Sequence, residues 1–126
     1  MIKERYCSPE VAKSLREKGF DIPVWTRYED NGEAIFGDKY NWNNSPKGQI
    51  SAPTQSMVMD WLREMHNICI TIYPDKEKGY EAVLYDVKGD VEIILQSFGI
   101  FGAHIFEDSY EQACESAIKY CLENLI

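Results

Sequence analysis

Residues 50–73, ISAPTQSMVMDWLREMHNICITIY, constrain the fold more than any other stretch of the chain. An apolar stripe at helical spacing opens this stretch, at Met57, Val58, Trp61, Leu62 and Met65. Isoleucines then alternate with other residues, at Ile68, Ile70 and Ile72. The hydrophobic period changes from about 3.6 residues to about 2 within a few positions. A helix over residues 54–66 therefore breaks near His66 and Asn67 and leads directly into a strand over 68–73, which predicts a mixed α+β fold.

The first helix is marked at both ends. Ser8 is a predicted N-cap, and Pro9 follows it in the first turn. Gly19 is predicted to end the helix in the left-handed conformation, with Leu15 and Phe20 making the hydrophobic contact of a Schellman cap. The start of the last helix is also marked by a capping signal, a capping box from Ser109 to Gln112.

Strands fill much of the remaining chain. Residues 24–28, VWTRY, are rich in β-formers, and the Asn31-Gly32 turn allows a hairpin with residues 33–36. Residues 29–49 are predicted to be a long irregular segment, which in a compact domain is either functional or partly disordered.

Further strands are predicted over 80–87 and 91–97, while residues 98–106 are either a bulged continuation or a short edge strand. The turns between these strands are too short for parallel crossovers, so the pairing should be antiparallel. We predict a single α+β domain over residues 1–126, with an antiparallel sheet of three to four strands and about three helices packed on it.

The charge balance restricts the partners. Lys and Arg total 13 against 21 Asp and Glu, so the formal net charge is −8. Direct binding to nucleic acid and to an anionic membrane are both disfavoured, because the basic residues are spread along the chain. No run approaches the ~20 apolar residues of a spanning helix. The charged opening residues and four cysteines without C-x-x-C spacing favour a reducing cytoplasm.

No residue pattern carries a recognisable chemistry. Ser56, Asp60 and His66 combine the residue types of a hydrolytic triad, but the chain lacks the G-x-S-x-G turn that presents such a serine. The acids at Glu29, Asp30, Glu33 and Asp38 fail the EF-hand template. We therefore predict no catalytic residue, no cofactor and no metal ion, and enzymatic activity is disfavoured without being excluded.

Aromatic residues in and beside the irregular segment form the candidate interaction surface. They are Tyr28, Phe36, Tyr40 and Trp42, accompanied by Asn and Ser. This composition is typical of protein-binding surfaces. The alternative interpretation is that the rings cover an open edge or face of a small sheet.

Three segments resemble a family of small uncharacterised proteins of gut anaerobes and their prophages and other mobile elements. They are SPEVAKSLREKGFDIPVWTRYED, ISAPTQSMVMDWLREMHNICITIYP and SYEQACESAIKYCLENLI. The shared features are a helix ending in Lys-Gly-Phe, an Ala-Pro-Thr-Gln helix with Trp-Leu-Arg, and a Tyr-Glu-x-Ala helix. The chain departs most from this pattern over residues 32–49 and 89–104. The resemblance implies accessory, cytoplasmic biology and transfers no catalytic or binding residue.

Three functions remain open on these grounds. The first is a non-enzymatic accessory or protein-interaction module of a mobile element, with an unidentified protein partner. The second is an acidic inhibitor that mimics nucleic acid and blocks a defence or regulatory protein. The third is a small-molecule-binding protein or minor enzyme, which requires a pocket with convergent polar groups.

Overall fold

The computed structural model describes residues 4–45, 47–86 and 104–126. Its elements in chain order are α1 (Pro9–Glu17), β1 (Val24–Tyr28), β2 (Ala34–Tyr40), a 3-10 helix (Trp42–Asn44), β3 (Ile50–Ser51), α2 (Gln55–His66), β4 (Ile68–Asp75), β5 (Gly79–Asp86), β6 (His104–Glu107) and α3 (Tyr110–Asn124). Every strand pair in this part of the chain is antiparallel. The α+β prediction is confirmed.

The chain divides into two compact units, Met1–Gln55 and Ser56–Ile126. Each unit holds a three-stranded sheet, with strand order β2-β1-β3 in the first and β4-β5-β6 in the second. We predicted one sheet, whereas the described residues form two. The reason is that β1 pairs with β2 and β3, which both lie in its own unit. That the two units form one domain over residues 1–126 stays a prediction.

The ends of α1 are as predicted. The Ser8 side chain accepts a hydrogen bond from the Val11 amide at 3.2 Å. Gly19 has a φ of 88°, which glycine adopts without a steric cost. The Phe20 amide donates to the Leu15 carbonyl at 3.0 Å, and the Gly19 amide to Arg16 at 3.2 Å. This pair of bonds is the Schellman motif, and it ends α1 at the predicted glycine.

The segment predicted to be irregular is more regular than expected. It contains β2 and the 3-10 helix, and the hairpin from β1 to β2 turns through Asn31 and Gly32 as predicted. The Glu29 amide donates to the Glu33 carbonyl at 2.9 Å, which closes this turn. Sequence periodicity could not show the full strand because β2 lies at the edge of its sheet, and nearly all of its residues are exposed.

In the second unit, β5 lies between β4 and β6, which agrees with its predicted central position. On one face, Ile70 pairs with Leu84 and Ile72 with Ala82. Helix α3 packs against all three strands. Its buried residues repeat at helical spacing: Ala113, Cys114, Ala117, Ile118, Cys121 and Leu122. The Ser109 hydroxyl accepts from the Gln112 amide at 3.1 Å, so the predicted capping box provides the N-cap of α3.

Helix α2 ends at the predicted break. Asn67 has a φ of 59° and separates the helix from β4. Trp61 and Leu62 are buried as the apolar stripe predicted, but Met65 is 64% exposed, so the stripe does not extend to the last turn. Of the predicted elements, the strand at 91–97 and most of the region at 98–106 lie outside the described residues; β6 occupies the end of the latter.

Candidate interaction surface

The two faces of β1 differ sharply in exposure. Val24 and Thr26 are buried, whereas Trp25 between them is 61% exposed. Because side chains alternate along a strand, Arg27 lies on the same face as Trp25. The first sheet therefore presents an indole and a guanidinium on its outer face.

The 3-10 helix brings a second tryptophan to this face. The Trp42 Nε1 donates a hydrogen bond to the Val24 carbonyl at 3.2 Å, which ties the helix to β1. The Arg27 guanidinium carbon then lies 4.4 Å from the centroid of the Trp42 ring, within the range of a cation–π contact. The Tyr40 ring packs edge-on against Trp42, with centroids 5.0 Å apart, although Tyr40 pairs with Val24 at the end of β2 and so starts from the face opposite Trp25. We refer to Trp25, Arg27, Tyr40 and Trp42 as the aromatic–arginine cluster: ring contacts link Arg27, Trp42 and Tyr40, and the alternation of side chains along β1 places Trp25 on the same face as Arg27.

A polar network holds Arg27 in place. Its Nε donates to Glu29 Oε1 at 2.9 Å. Gln49 Nε2 donates to both oxygens of the same carboxylate, at 3.2 and 3.1 Å. The hydrogen bond from Arg27, followed by that from Gln49, lowers the pKa of Glu29 below its ordinary value. Arg27 is therefore oriented before any partner arrives, which reduces the entropy lost on binding.

The four predicted surface residues do not form one patch. Tyr40 and Trp42 contact each other, as described above. Tyr28 instead donates its hydroxyl to the Cys7 carbonyl at 2.6 Å, a bond that ties the N-terminal segment to β1. Phe36 is 66% exposed and packs edge-on against Tyr6, with ring centroids 5.6 Å apart. It pairs with Thr26 across the sheet, so it belongs to the face opposite Trp25.

Sequence reasoning missed Trp25 and Arg27. The only local signal was the alternation within VWTRY, and that signal does not say which face of the strand is buried. Val24, Trp25 and Tyr28 are all apolar or aromatic, so both choices of face place large side chains inward. The structure decides the matter by burying Val24 and Thr26.

A bulge in β2 shapes the free edge beside the cluster. Val24 pairs with Tyr40 but Thr26 pairs with Phe36, so residues 37–39 lie opposite the single residue Trp25. Gly37 and Asp38 have φ values of 151° and 24°. Such a bulge twists an edge strand and interrupts its row of backbone donors and acceptors, which opposes the addition of another strand. Contacts at this surface are therefore expected to come from side chains.

Two of the residues that share the types of a hydrolytic triad, Asp60 and His66, have other partners. Asp60 forms an ion pair with Arg63 at 3.2 Å, and the His66 ring packs edge-on against Trp61 at 4.7 Å. No group of three His, Cys, Asp or Glu side chains that could hold a metal ion occurs within residues 4–45, 47–86 and 104–126. In the same residues, no helix is long and apolar enough to cross a membrane.

None of the four cysteines, all of which lie in the described residues, forms a disulfide bond. Cys7, Cys114 and Cys121 are buried, and Cys69 on β4 is half-buried. Burial raises the pKa of Cys114 to about 11 and that of Cys121 to about 12. Thiols of this kind are poor nucleophiles near neutral pH.

Comparison with known proteins found no match among protein-family models, curated proteins or solved structures.

Proposed function

We propose that this chain is a non-enzymatic protein-interaction module and that the aromatic–arginine cluster is its binding surface. The observation that carries the proposal is Trp25, a large apolar side chain that is 61% exposed at the centre of a sheet face. Leaving an indole in water is unfavourable by the transfer free energy of its apolar area. A partner that covers Trp25 recovers that free energy.

The composition of the cluster supports this function. Trp, Tyr and Arg are the residue types that contribute most strongly to binding at protein interfaces. Here Trp25, Arg27 and Tyr40 lie on the first sheet and Trp42 lies in the adjoining 3-10 helix. Arg27 is already stacked on Trp42 and bonded to Glu29. An arginine stacked on a ring keeps its other donors available for a carboxylate or a backbone carbonyl of the partner.

The expected partner contacts the cluster through side chains and brings an apolar pocket or groove for Trp25. Strand addition along β2 is disfavoured by the bulge at residues 37–39. This distinction is testable, because strand addition would depend on the β2 backbone and would survive truncation of Trp25.

Affinity capture with three forms of the full chain tests the proposal: the natural sequence, Trp25→Ala and Met65→Ala. Met65 is a matched control because it is 64% exposed on a helix of the second unit. A true partner is retained by the natural sequence and by Met65→Ala and is lost with Trp25→Ala. With the purified partner, Trp25→Ala should weaken the Kd by about 30-fold or more, as expected for a hot-spot residue.

The circular dichroism spectrum of each variant shows whether it is folded, so that a loss of binding can be distinguished from a loss of folding. Arg27→Lys adds a second test, since lysine keeps the charge but loses the planar contact with Trp42. Recovery of the same partner with equal affinity by Trp25→Ala would refute the proposed surface. Failure to recover any partner, together with turnover in a broad substrate screen, would refute the non-enzymatic function.

The resemblance to small proteins of gut anaerobes and their mobile elements extends the proposal to an accessory role in such an element. In that setting the partner would be a cytoplasmic protein of the host or of the element itself. Neighbouring genes that encode mobile-element functions would support this extension, and a conserved position beside housekeeping genes would contradict it.

A further inference from the structure

A cleft of about 520 Å³ opens in the first unit. One wall is the outer face of α1, and the other is the end of β1 with its turn and the residues that lead into β3. Its lining residues are Lys13, Arg16, Glu17, Glu29, Asp30, Gly48 and Ile50. The volume falls within the range of small-molecule sites.

The α1 wall carries two cations one helical turn apart, Lys13 and Arg16, and one carboxylate, Glu17. Val11 and Leu15 bury the inner face of the helix, so Lys13 and Arg16 project outward. Neither side chain forms an ion pair with any residue that the structure describes. An arginine and a lysine at this spacing can together bind a carboxylate, with the guanidinium providing two parallel donors.

The opposite wall carries two carboxylates. Glu29 is held in place by Arg27 and Gln49. Asp30 lies directly against Gly48, so that a side chain at position 48 would collide with its carboxylate. Gly48 has a φ of 78°, which favours glycine independently of this contact. The backbone thus approaches Asp30 closely because no Cβ intervenes.

Ile50 is the one apolar side chain among these lining residues, and it is 6% exposed. The cleft therefore combines a wall of net positive charge, formed by Lys13, Arg16 and Glu17, with an anionic wall and one apolar side chain. A ligand with a single charge would pair with the opposite charge on one wall and would leave the charge on the other wall without a counter-ion. A zwitterion with an aliphatic group satisfies all three parts.

We propose that this cleft binds a small α-amino acid with an aliphatic side chain. Its carboxylate lies against Lys13 and Arg16, its ammonium group against Asp30, and its side chain against Ile50. Glu29 adds negative charge to the ammonium side, while its oxygens remain bonded to Arg27 and Gln49. This binding is separate from the proposed protein interaction, since the ligand contacts no residue of the aromatic–arginine cluster.

Three matched probes test the charge requirement: L-leucine, 4-methylpentanoate, which lacks the ammonium group, and L-leucinamide, which lacks the carboxylate. Each is titrated into the ¹⁵N-labelled full chain, and amide chemical shifts are followed by NMR. Saturable shifts with leucine are expected at residues 13–17, 29–30 and 48–50. Each analogue with one charge should bind at least tenfold more weakly.

Variants test the walls separately. Arg16→Gln and Asp30→Asn should each weaken leucine binding at least tenfold, and both positions are exposed, so the fold should be retained. Lys76→Gln is the control, because it makes the same change in net charge as Arg16→Gln at an exposed turn in the second unit. It should leave leucine binding unchanged, as should Trp25→Ala.

Three results would overturn the proposal: no saturable shift with leucine, equal binding of 4-methylpentanoate, or an equal loss in Lys76→Gln. The second would indicate a simple anion site and the third a general effect of charge. None of these results tests the aromatic–arginine cluster, because the effect of Trp25→Ala is measured as binding of the protein partner. The two proposals can therefore fail independently.

Discussion

The Ile118→Ala substitution tests the core of the second unit most directly. Ile118 has no exposed surface and lies at the centre of the buried face of α3. The substitution removes three carbons, and at about 0.8 kcal/mol per buried carbon the transfer term is about 2.4 kcal/mol. If the surroundings do not collapse, a cavity of about 80 Å³ adds about 2 kcal/mol at about 24 cal/mol per Å³.

Two effects reduce this sum. The surroundings relax partly into the space, and alanine favours a helix more than isoleucine by a few tenths of a kcal/mol. The expected loss in the free energy of unfolding is therefore about 2 to 4 kcal/mol. Urea unfolding followed by circular dichroism at 222 nm measures it, with Met65→Ala as the exposed control in the same unit, expected within about 0.5 kcal/mol of the natural sequence.

A loss below about 1 kcal/mol for Ile118→Ala, with an unchanged m-value, would refute the reasoning. It would mean that α3 is not packed in a close-fitting core and that its apolar stripe faces a loose or solvated surface. A changed m-value would instead report that the substitution altered the denatured ensemble or broke two-state unfolding.

Two further predictions follow from local features of the second unit and are checked by simpler measurements. In native protein at pH 8, iodoacetamide should modify Cys69 before Cys114 and Cys121. A pKa of about 11 leaves about one Cys114 thiol in a thousand ionised, and fewer still of the Cys121 thiols are ionised. If peptide mass spectrometry found Cys121 modified as fast as Cys69, the burial of these α3 cysteines would be contradicted. Gly79→Ala should destabilise the protein by more than about 1 kcal/mol, because Gly79 has a φ of 89° and a Cβ there would collide with the Glu107 backbone. Gly32→Ala is the control, with a φ of 84° and open space around it, so a thermal shift as large as that of Gly79→Ala would show that only the backbone conformation matters.

Features with a local cause could be predicted from the sequence. The caps of α1 and α3 rest on side chains within a few residues of the amide they bind, at Ser8 and Ser109. The Asn31-Gly32 turn likewise acts within one hairpin. In each case a short-range hydrogen bond or a positive φ selects the residue, so the residue reveals the structure.

Features with a distant cause could not be predicted. The Tyr28 hydroxyl is bound by a carbonyl 21 residues away in the chain, and nothing around Tyr28 indicates that partner. Its assignment to a candidate surface rested on composition alone. The division into two sheets has the same origin, because it depends on which strands meet and not on how each strand is built.

The face of β1 is the decisive case for function. VWTRY offers large side chains to both faces, so a strand of this sequence is compatible with either Val24 or Trp25 in the core. Burial of Val24 leaves Trp25 outside, and Arg27 with it, where Trp42 can stack on the guanidinium. A one-residue change of register would bury the indole and abolish the cluster. The exposed tryptophan is thus a consequence of tertiary packing, which is why the strongest evidence for a binding surface appears only in the structure.

Glu29 connects this surface to the cleft in the first unit. Its carboxylate accepts from Arg27 on the cluster side and lines the cleft on the other. The hydrogen bonds from Arg27 and Gln49 lower the pKa of Glu29, and its carboxylate both orients Arg27 and contributes negative charge to the cleft. Because its oxygens are already engaged by Arg27 and Gln49, a ligand ammonium group would rely on Asp30 for its direct contact. The geometry therefore assigns Glu29 a positioning role in both places, and the direct contacts to partner or ligand fall to Trp25 in one case and to Arg16 and Asp30 in the other.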